Sequence, residues 1–236
     1  MNSGRVRAAV MAALLVACGG ESDAPRAGVG RDTAADAVTR RADPTGERWS
    51  IEVAGTGGAI GPTTAHADLA GAFDSRLIDT MIHMGEAQFV PGTVVFPDDP
   101  LRRIELVWLD SARARPWRVQ LTGDSTVWSV GPGITLGTSL SDLARLNQAP
   151  LSLTGFGWDY GGTVMGWNQG ALEQALLGGN GRVILRLAVD SASVGSDDAL
   201  AVSGDGIFPS DNRAMQRLDP KVRQIIVEYD SDAAGR

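Results

Sequence analysis

The chain of 236 residues has one cysteine and two histidines, and these shortages exclude most side-chain chemistry. A single cysteine, Cys18, allows neither an internal disulfide nor a cysteine-rich zinc site. The histidines, His66 and His83, lie in no metal-binding motif, and no G-x-S-x-G nucleophile motif is present. The sequence therefore favours a non-enzymatic protein without a cofactor or a metal, although an enzyme stays open.

The chain also lacks a long hydrophobic run and an excess of basic residues. Its longest apolar run, residues 8–17, is too short to span a bilayer as a helix. It carries 21 basic and 28 acidic residues, for a net charge of −7. Because nucleic acids are bound through basic surfaces, we expect no nucleic-acid partner.

The N-terminus has the pattern of an export signal. Arg5 and Arg7 precede the apolar run, which ends in Leu15-Val16-Ala17-Cys18. This ending resembles a bacterial lipobox, although a chance cysteine after an ordinary signal peptide is the alternative. The resemblance implies that residues 1–17 are removed and that acylated Cys18 anchors the protein to a membrane. Because Gly19 stands where inner-membrane lipoproteins typically carry aspartate, the outer membrane is the favoured location in a cell with two membranes.

Composition divides the rest of the chain. Residues 18–47 contain almost no large apolar side chain, which predicts a disordered tether behind the lipidated cysteine. Residues 48–229 are long enough for one well-packed domain, and residues 230–236 are predicted to be a disordered tail.

Within the domain, apolar and polar residues alternate in five stretches, which predicts half-buried antiparallel strands at residues 48–53, 103–108, 117–122, 182–189 and 224–229. Residues 77–84 fit either a helix or a strand, and we assign a strand. Short helices are predicted at residues 64–73, 138–147, 171–177 and 211–218. The fold class is therefore α+β, with a mainly antiparallel sheet and short helices.

Two sets of landmarks suggest an internal duplication. The pattern T-x-x-x-D-L-A begins at Thr64 and at Thr138, where each threonine is predicted to be a helix N-cap. Each copy is followed by G-T-V, at Gly92 and at Gly162. We predict two related strand–helix–strands units at about residues 48–122 and 123–190, followed by a C-terminal helix and strand in residues 191–229. Chance occurrence of common cap and strand patterns is the alternative.

The same motifs carry two resemblances. The T-x-x-x-D-L-A segment forms a short predicted helix and is followed by strands that carry tryptophan. This combination is similar to the tandem repeats of beta-lactamase-inhibitor-like proteins and of small outer-membrane-assembly lipoproteins. Three segments, residues 92–100, 155–162 (GFGWDYGG) and 215–220, resemble a family of uncharacterised bacterial lipoproteins. The first resemblance implies a fold of tandem units, and neither implies an activity.

The candidate binding residues are aromatic. Trp158, Asp159 and Tyr160 lie between the glycines of residues 155–162, and Trp167 follows. This segment is either an exposed binding loop or a packed turn. Trp108 and Trp117 occur at strand spacing and are expected in the core. A group of acidic residues is expected to form a solvated loop, with a calcium site as the alternative: Asp197, Asp198, Asp205 and Asp211.

These observations favour a lipid-anchored cell-envelope protein that binds or assembles a protein partner. The alternative is an envelope lipoprotein that binds or processes glycans through the aromatic segment. Both functions place the protein at a membrane through the lipid on Cys18.

Overall fold

The computed structural model describes residues 49–53, 58–73, 76–179 and 181–230. These residues form five α-helices, one 3-10 helix at Ser191–Ser193 and eleven strands, and the predicted α+β class is confirmed. In chain order the elements are β1 (Ser50–Ile51), α1 (His66–Phe73), β2 (Leu77–Gly85), β3 (Gln88–Val95), β4 (Ile104–Trp108), β5 (Pro116–Thr122), β6 (Ser129–Val130), α2 (Leu140–Asn147), β7 (Ser152–Thr154), β8 (Val164–Gly166), α3 (Ala171–Leu177), β9 (Gly181–Ala188), α4 (Asp197–Ala201), β10 (Ile207–Pro209), α5 (Arg213–Leu218) and β11 (Lys221–Tyr229).

The signal peptide, Cys18 and the tether predicted for residues 1–47 lie outside the described residues, as does most of the predicted tail. No helix in the described ranges is both long and apolar enough to cross a bilayer.

The largest sheet has six antiparallel strands in the order β2-β3-β4-β5-β11-β9. A three-stranded antiparallel sheet has the order β10-β7-β8, and β1 pairs with β6 in parallel. The segment that fitted either a helix or a strand is β2, as predicted. Its partner β3 follows after a two-residue turn, so the hairpin β2–β3 forms the end of the large sheet.

The hydrophobic core lies on one face of the large sheet. Because strand side chains alternate between faces, Val119 and Leu121 of β5 point to the same side. They belong to one buried cluster with apolar residues of α1, α2, α3 and α5, among them Leu69 and Leu143. Each fully buried leucine of this kind contributes about 1.5–3 kcal/mol of transfer free energy. The intervening residues of β5, including Gln120, face the side opposite these helices.

The threonines that precede α1 and α2 form different hydrogen bonds from those predicted. Ser139 is the N-cap of α2, and Thr138 lies one residue earlier. The Thr138 hydroxyl accepts a hydrogen bond from the Thr135 amide at 3.0 Å, and the Thr64 hydroxyl accepts one from the Gly61 amide at 2.8 Å. Both threonines therefore close the turn that leads into a helix, and the predicted capping role of Thr138 is wrong.

Of the five strands between α1 and α2, four lie side by side. Four of the five strands after α2 do the same, and the fifth, β10, pairs with the other side of β7. The first set is β2, β3, β4 and β5, and the second is β7, β8, β9 and β11. β8 meets β9 through a bridge between Thr163 and Arg186 and through a 2.9 Å hydrogen bond from the Leu187 amide to the Gly162 carbonyl. The second set thus includes β11, which the sequence patterns placed outside the second unit.

A pair of tryptophans joins the two segments that precede these helices. Trp49 begins the sequence Trp-Ser-Ile and Trp128 begins Trp-Ser-Val, and the strands that follow them pair in parallel, Ser50 with Ser129. The two rings meet edge to face, with centroids 4.9 Å apart. The Trp128 indole also donates a 2.6 Å hydrogen bond to the Arg102 carbonyl.

We predict that Trp128→Phe lowers the free energy of unfolding by about 1–3 kcal/mol, because a fully buried ring loses volume and a hydrogen bond. Urea denaturation followed by far-UV circular dichroism measures this change. The matched control is Trp117→Phe, at a ring that is 37% exposed, where the loss should stay within about 0.5–1 kcal/mol. Equal losses of stability in the two variants would show that the buried Trp128 ring and its hydrogen bond contribute no more than an exposed tryptophan.

Candidate functional site

Residues 155–162 link β7 to β8, and their glycines are required by close backbone approaches. A Cβ on Gly155 would lie 2.6 Å from the Val202 carbonyl oxygen. Gly162 has a positive φ of 72°, and a Cβ there would lie 2.0 Å from the Leu187 carbonyl oxygen. Because no side chain fits at these distances, the glycines serve the packing of this segment against its neighbours.

Two aromatic residues of the same segment, Trp158 and Tyr160, lie at the surface, whereas Phe156 packs against the main core. Trp158 is 41% exposed, and its indole N–H donates a 3.0 Å hydrogen bond to the Gly155 carbonyl. Its ring meets that of Tyr160 nearly edge to face, at 5.7 Å between centroids. Asp159 between them is exposed. The structure therefore brings together three of the four predicted binding residues on one exposed turn.

Tyr160 connects this turn to the end of the β2–β3 hairpin. Its hydroxyl donates a 2.5 Å hydrogen bond to Oε1 of Glu86, at the turn of the hairpin. This hydrogen bond is the largest cause of a raised pKa for Tyr160, since it favours the protonated phenol. The Arg186 guanidinium lies 5.0 Å from the centre of the tyrosine ring, within the range of a cation–π contact.

The hairpin of residues 77–95, which we call the arm, also contacts β5 of the large sheet. The Gln120 amide of β5 donates a 3.1 Å hydrogen bond to the His83 carbonyl and a 2.7 Å bond to Glu105. A small apolar cluster of Ile82, Val94 and Val107 lies on the same side, separate from the main core. The arm therefore covers part of the sheet face opposite the main core.

Trp167, the fourth predicted binding residue, is 5% exposed and belongs to the main core. Its carbonyl accepts a 2.8 Å hydrogen bond from the buried Asn147 side chain. The residue packs inward because it follows β8 at the point where the chain turns towards α3. We therefore leave Trp167 out of the candidate site.

Trp117 and Trp108, which were expected in the core, line a cleft of about 380 Å³ at one end of the large sheet. Trp117 is 37% exposed, so its predicted burial is wrong, whereas Trp108 is half-buried and packs against the main core. The pairing of β4 with β5 shifts between Val107 and Trp108, and this irregularity places both rings at the margin of the sheet. Arg182 and Glu228 also line the cleft.

A polar network around Asp79 fastens the arm to the rest of the fold. The Asp79 carboxylate accepts hydrogen bonds from Thr93 at 2.7 Å and from Arg113 at 2.5 Å, and it lies 3.1 Å from the His66 ring nitrogen Nε2. Burial alone raises the pKa of Asp79, but the hydrogen bonds outweigh it and hold the pKa below its usual value. The network joins α1 and the loop before β5 to β2, which indicates a structural role.

The acidic residues considered for calcium do not converge. Within the described ranges, no group of three or more His, Cys, Asp or Glu side chains is arranged to hold a metal ion. Asp198 forms an ion pair with Arg217, and this hydrogen bond is the main cause of a lowered pKa for Asp198.

The burial of two arginines, Arg118 and Arg186, could not be predicted from the sequence. Arg118 and Arg186 alternate with apolar residues on β5 and β9, a pattern that predicts exposed side chains. In the structure Arg118 is buried and Arg186 is half-buried. The only signal in the sequence was the presence of arginine on neighbouring polar faces.

Comparison of the chain with protein-family models, with curated proteins and with solved structures gives no match in any of the three. The two resemblances carried by the sequence motifs therefore stay predictions.

We predict that Tyr160→Phe loosens the arm, because it removes the hydroxyl that bonds Glu86. Amide hydrogen exchange should become severalfold faster in residues 82–90, while exchange in β9 and β11 stays unchanged. The neighbouring variant Asp159→Ala is the control, since the exposed Asp159 side chain forms no hydrogen bond or ion pair with the arm within the described residues. Unchanged exchange in the arm of Tyr160→Phe would show that this hydrogen bond does not hold it.

Proposed function

We propose that this chain is a non-enzymatic, lipid-anchored protein of the cell envelope that binds a protein partner. The observation that carries the proposal is the outer edge of β2. This strand ends the six-stranded sheet, and no strand in the described residues pairs with its outer side. A sheet edge of this kind offers backbone N–H and C=O groups to an added strand of a partner.

The side chains of β2 fit such a contact. Ile78 and Met81 are 48% and 53% exposed, although they point to opposite faces of the sheet. The strand spans nine residues, and Asp79 is its only acidic residue, already engaged by Arg113. Free edges are commonly protected by lysine or proline, and β2 contains neither. An extended, largely apolar segment of a partner therefore suits this edge.

Anchoring through Cys18 is part of the proposal. The apolar run before Cys18 and its lipobox-like ending support acylation, and buried acyl carbons contribute about 0.8 kcal/mol each to membrane binding. An anchored domain meets membrane proteins at a high local concentration, so a modest strand-addition affinity suffices for binding.

We also propose that the domain arose by duplication of one unit. Three features support it: the paired Trp-Ser-Ile and Trp-Ser-Val strands, the turns closed by Thr64 and Thr138, and the set of four side-by-side strands after each helix, to which the second unit adds β10. The first unit then ends with β5, and the second extends to the end of β11. When Ile104 of β4 is aligned with Ile184 of β9, Leu106 corresponds to Arg186. Leu106 belongs to the main core, whereas Arg186 alternates with the core residues of β9, so the two strands differ in which face they bury.

A glycan-binding protein is the second candidate, and the exposed Trp158 ring favours it. An exposed indole supplies a flat apolar surface of the kind that stacks on sugars. Its N–H is already bonded to Gly155, so only the ring face is available. This function predicts that Trp158→Ala reduces retention on isolated cell-wall glycan and that substitutions in β2 do not.

The β2 edge can be tested with a photo-crosslinking residue placed at Met81 in the full chain, in cells. We expect capture of one discrete partner, and we expect Ile78→Lys in the same chain to abolish it, because a charge at the edge opposes strand addition. Circular dichroism confirms that the variant is folded.

The matched control is the same crosslinking residue at Met165, which is 60% exposed but lies on β8. It should not capture the partner found at Met81. Capture of the same proteins at both positions, or capture that survives Ile78→Lys, would overturn the proposed binding edge.

For the anchor, Cys18→Ser should abolish incorporation of an alkyne-labelled fatty acid and move the protein from the membrane fraction to the soluble fraction. The lipid is attached to the sulfur, which serine lacks. Ser22→Ala, four residues downstream, is the control and should remain labelled. Persistent labelling of Cys18→Ser would refute lipidation at this position.

A further inference from the structure

The sheet face opposite the main core holds a row of charges across three strands. In the strand register, Glu228 of β11 lies between Arg118 of β5 and Arg182 of β9. Arg182 donates two hydrogen bonds to one Glu228 oxygen, at 2.7 and 2.9 Å. Arg118 reaches the other oxygen only at 3.6 Å. Glu228 is thus neutralised mainly by Arg182, and Arg118 is left with a long ion pair.

Arg118 is a buried cation with little compensation. Its side chain is 10% exposed, and its Nε–H has no hydrogen-bond partner among the described residues. Burial is the largest cause of a lowered pKa for Arg118. The Glu228 carboxylate opposes this shift, and repulsion from Arg186 adds to it. Burying a guanidinium without hydrogen bonds is costly, so a site of this kind is stabilised by a bound anion.

Arg186 approaches the same region from β9. Its Nη1 donates a 2.9 Å hydrogen bond to Gln224, while its buried Nε–H has no partner in the described part of the chain. Its guanidinium lies over the Tyr160 ring, at the margin of the arm. Arg186 is half-buried, so part of its side chain reaches solvent at this margin.

The nearby carboxylates do not balance these charges. Glu105 is bonded to Arg103 and Gln120, and Glu86 is bonded to Tyr160. Because the Tyr160 hydroxyl is neutral, Glu86 keeps its charge and offsets one of the two guanidinium groups of Arg118 and Arg186. With Glu228 paired to Arg182 and Glu105 paired to Arg103, an excess of one positive charge remains. This excess lies in a chain that is acidic as a whole.

Gln120 adds an acceptor to these donors. Its Nε2 donates to the His83 carbonyl and to Glu105, which fixes the orientation of the amide. Its Oε1 is buried and has no hydrogen-bond partner within the described residues. Gln120 and Arg118 lie two residues apart on the same face of β5. A ligand that satisfies both must carry a negative charge and an O–H group.

We propose that Arg118, Arg186 and Gln120 form a binding site for a small oxyanion that also carries a hydroxyl, such as hydrogen phosphate or a hydroxycarboxylate. The two arginine Nε–H groups donate to the anion, and Gln120 accepts from its hydroxyl. The arm covers the site through its contacts with Gln120 and Tyr160. This site does not depend on the protein-binding edge of β2, which lies at the end of the sheet.

The test is an NMR titration of the folded chain, labelled with ¹⁵N, in which the arginine Nε–H resonances are followed. Inorganic phosphate and glycolate are the two probes, and sodium chloride at equal ionic strength is the salt control. We expect saturable shifts of the Arg118 and Arg186 resonances with at least one probe. The probe that binds more tightly distinguishes a phosphate from a hydroxycarboxylate ligand.

We expect Arg186→Gln to weaken this binding at least tenfold. Arg145→Gln is the matched control, because the Arg145 side chain is 66% exposed on α2, and it should leave the affinity unchanged. Arg118→Gln should abolish binding, and Arg186→Gln decides the outcome if that variant does not fold. Shifts that do not saturate, that chloride reproduces, or that persist unchanged in Arg186→Gln would overturn the proposal.

Discussion

The main core lies on one face of the six-stranded sheet, and this one-sided packing determines what the other face must do. Alternation along β5 sends Val119 and Leu121 into the core and therefore sends Arg118 and Gln120 to the opposite side. On an open sheet these polar side chains would be solvated. Here the arm covers this side of the sheet in part, so the polar atoms of these side chains need hydrogen-bond partners other than bulk water.

The arm takes the place of a second layer on that face, but only over part of it. Its apolar contribution is the small cluster around Ile82, Val94 and Val107, and its polar contacts reach Gln120 and Tyr160. A hairpin has two long edges, and among the strands that the structure describes only one of these edges is paired with the sheet. The same element that covers the polar face therefore leaves the outer edge of β2 available to another chain.

Most elements of the fold could be predicted from the sequence, because their signals are local. Alternation located β4, β5, β9 and β11, and the helix at residues 171–177 has the predicted bounds. The burial of single aromatic residues could not be predicted, since it depends on position within the sheet. Trp117 lies at a sheet margin and is exposed, whereas Trp167 packs into the core. Arg118 was missed because alternation cannot show that a distant hairpin covers a polar face.

In the GFGWDYGG segment, the glycines and the aromatic residues have separate roles. Gly155 and Gly162 are required by the backbone of neighbouring segments, so their substitution disturbs the fold itself. Tyr160 contacts Arg186 through its ring and the arm through its hydroxyl, which donates to Glu86, and this hydrogen bond raises the pKa of the phenol. Changes at Tyr160 therefore alter how the arm covers the arginines without removing the turn that presents it.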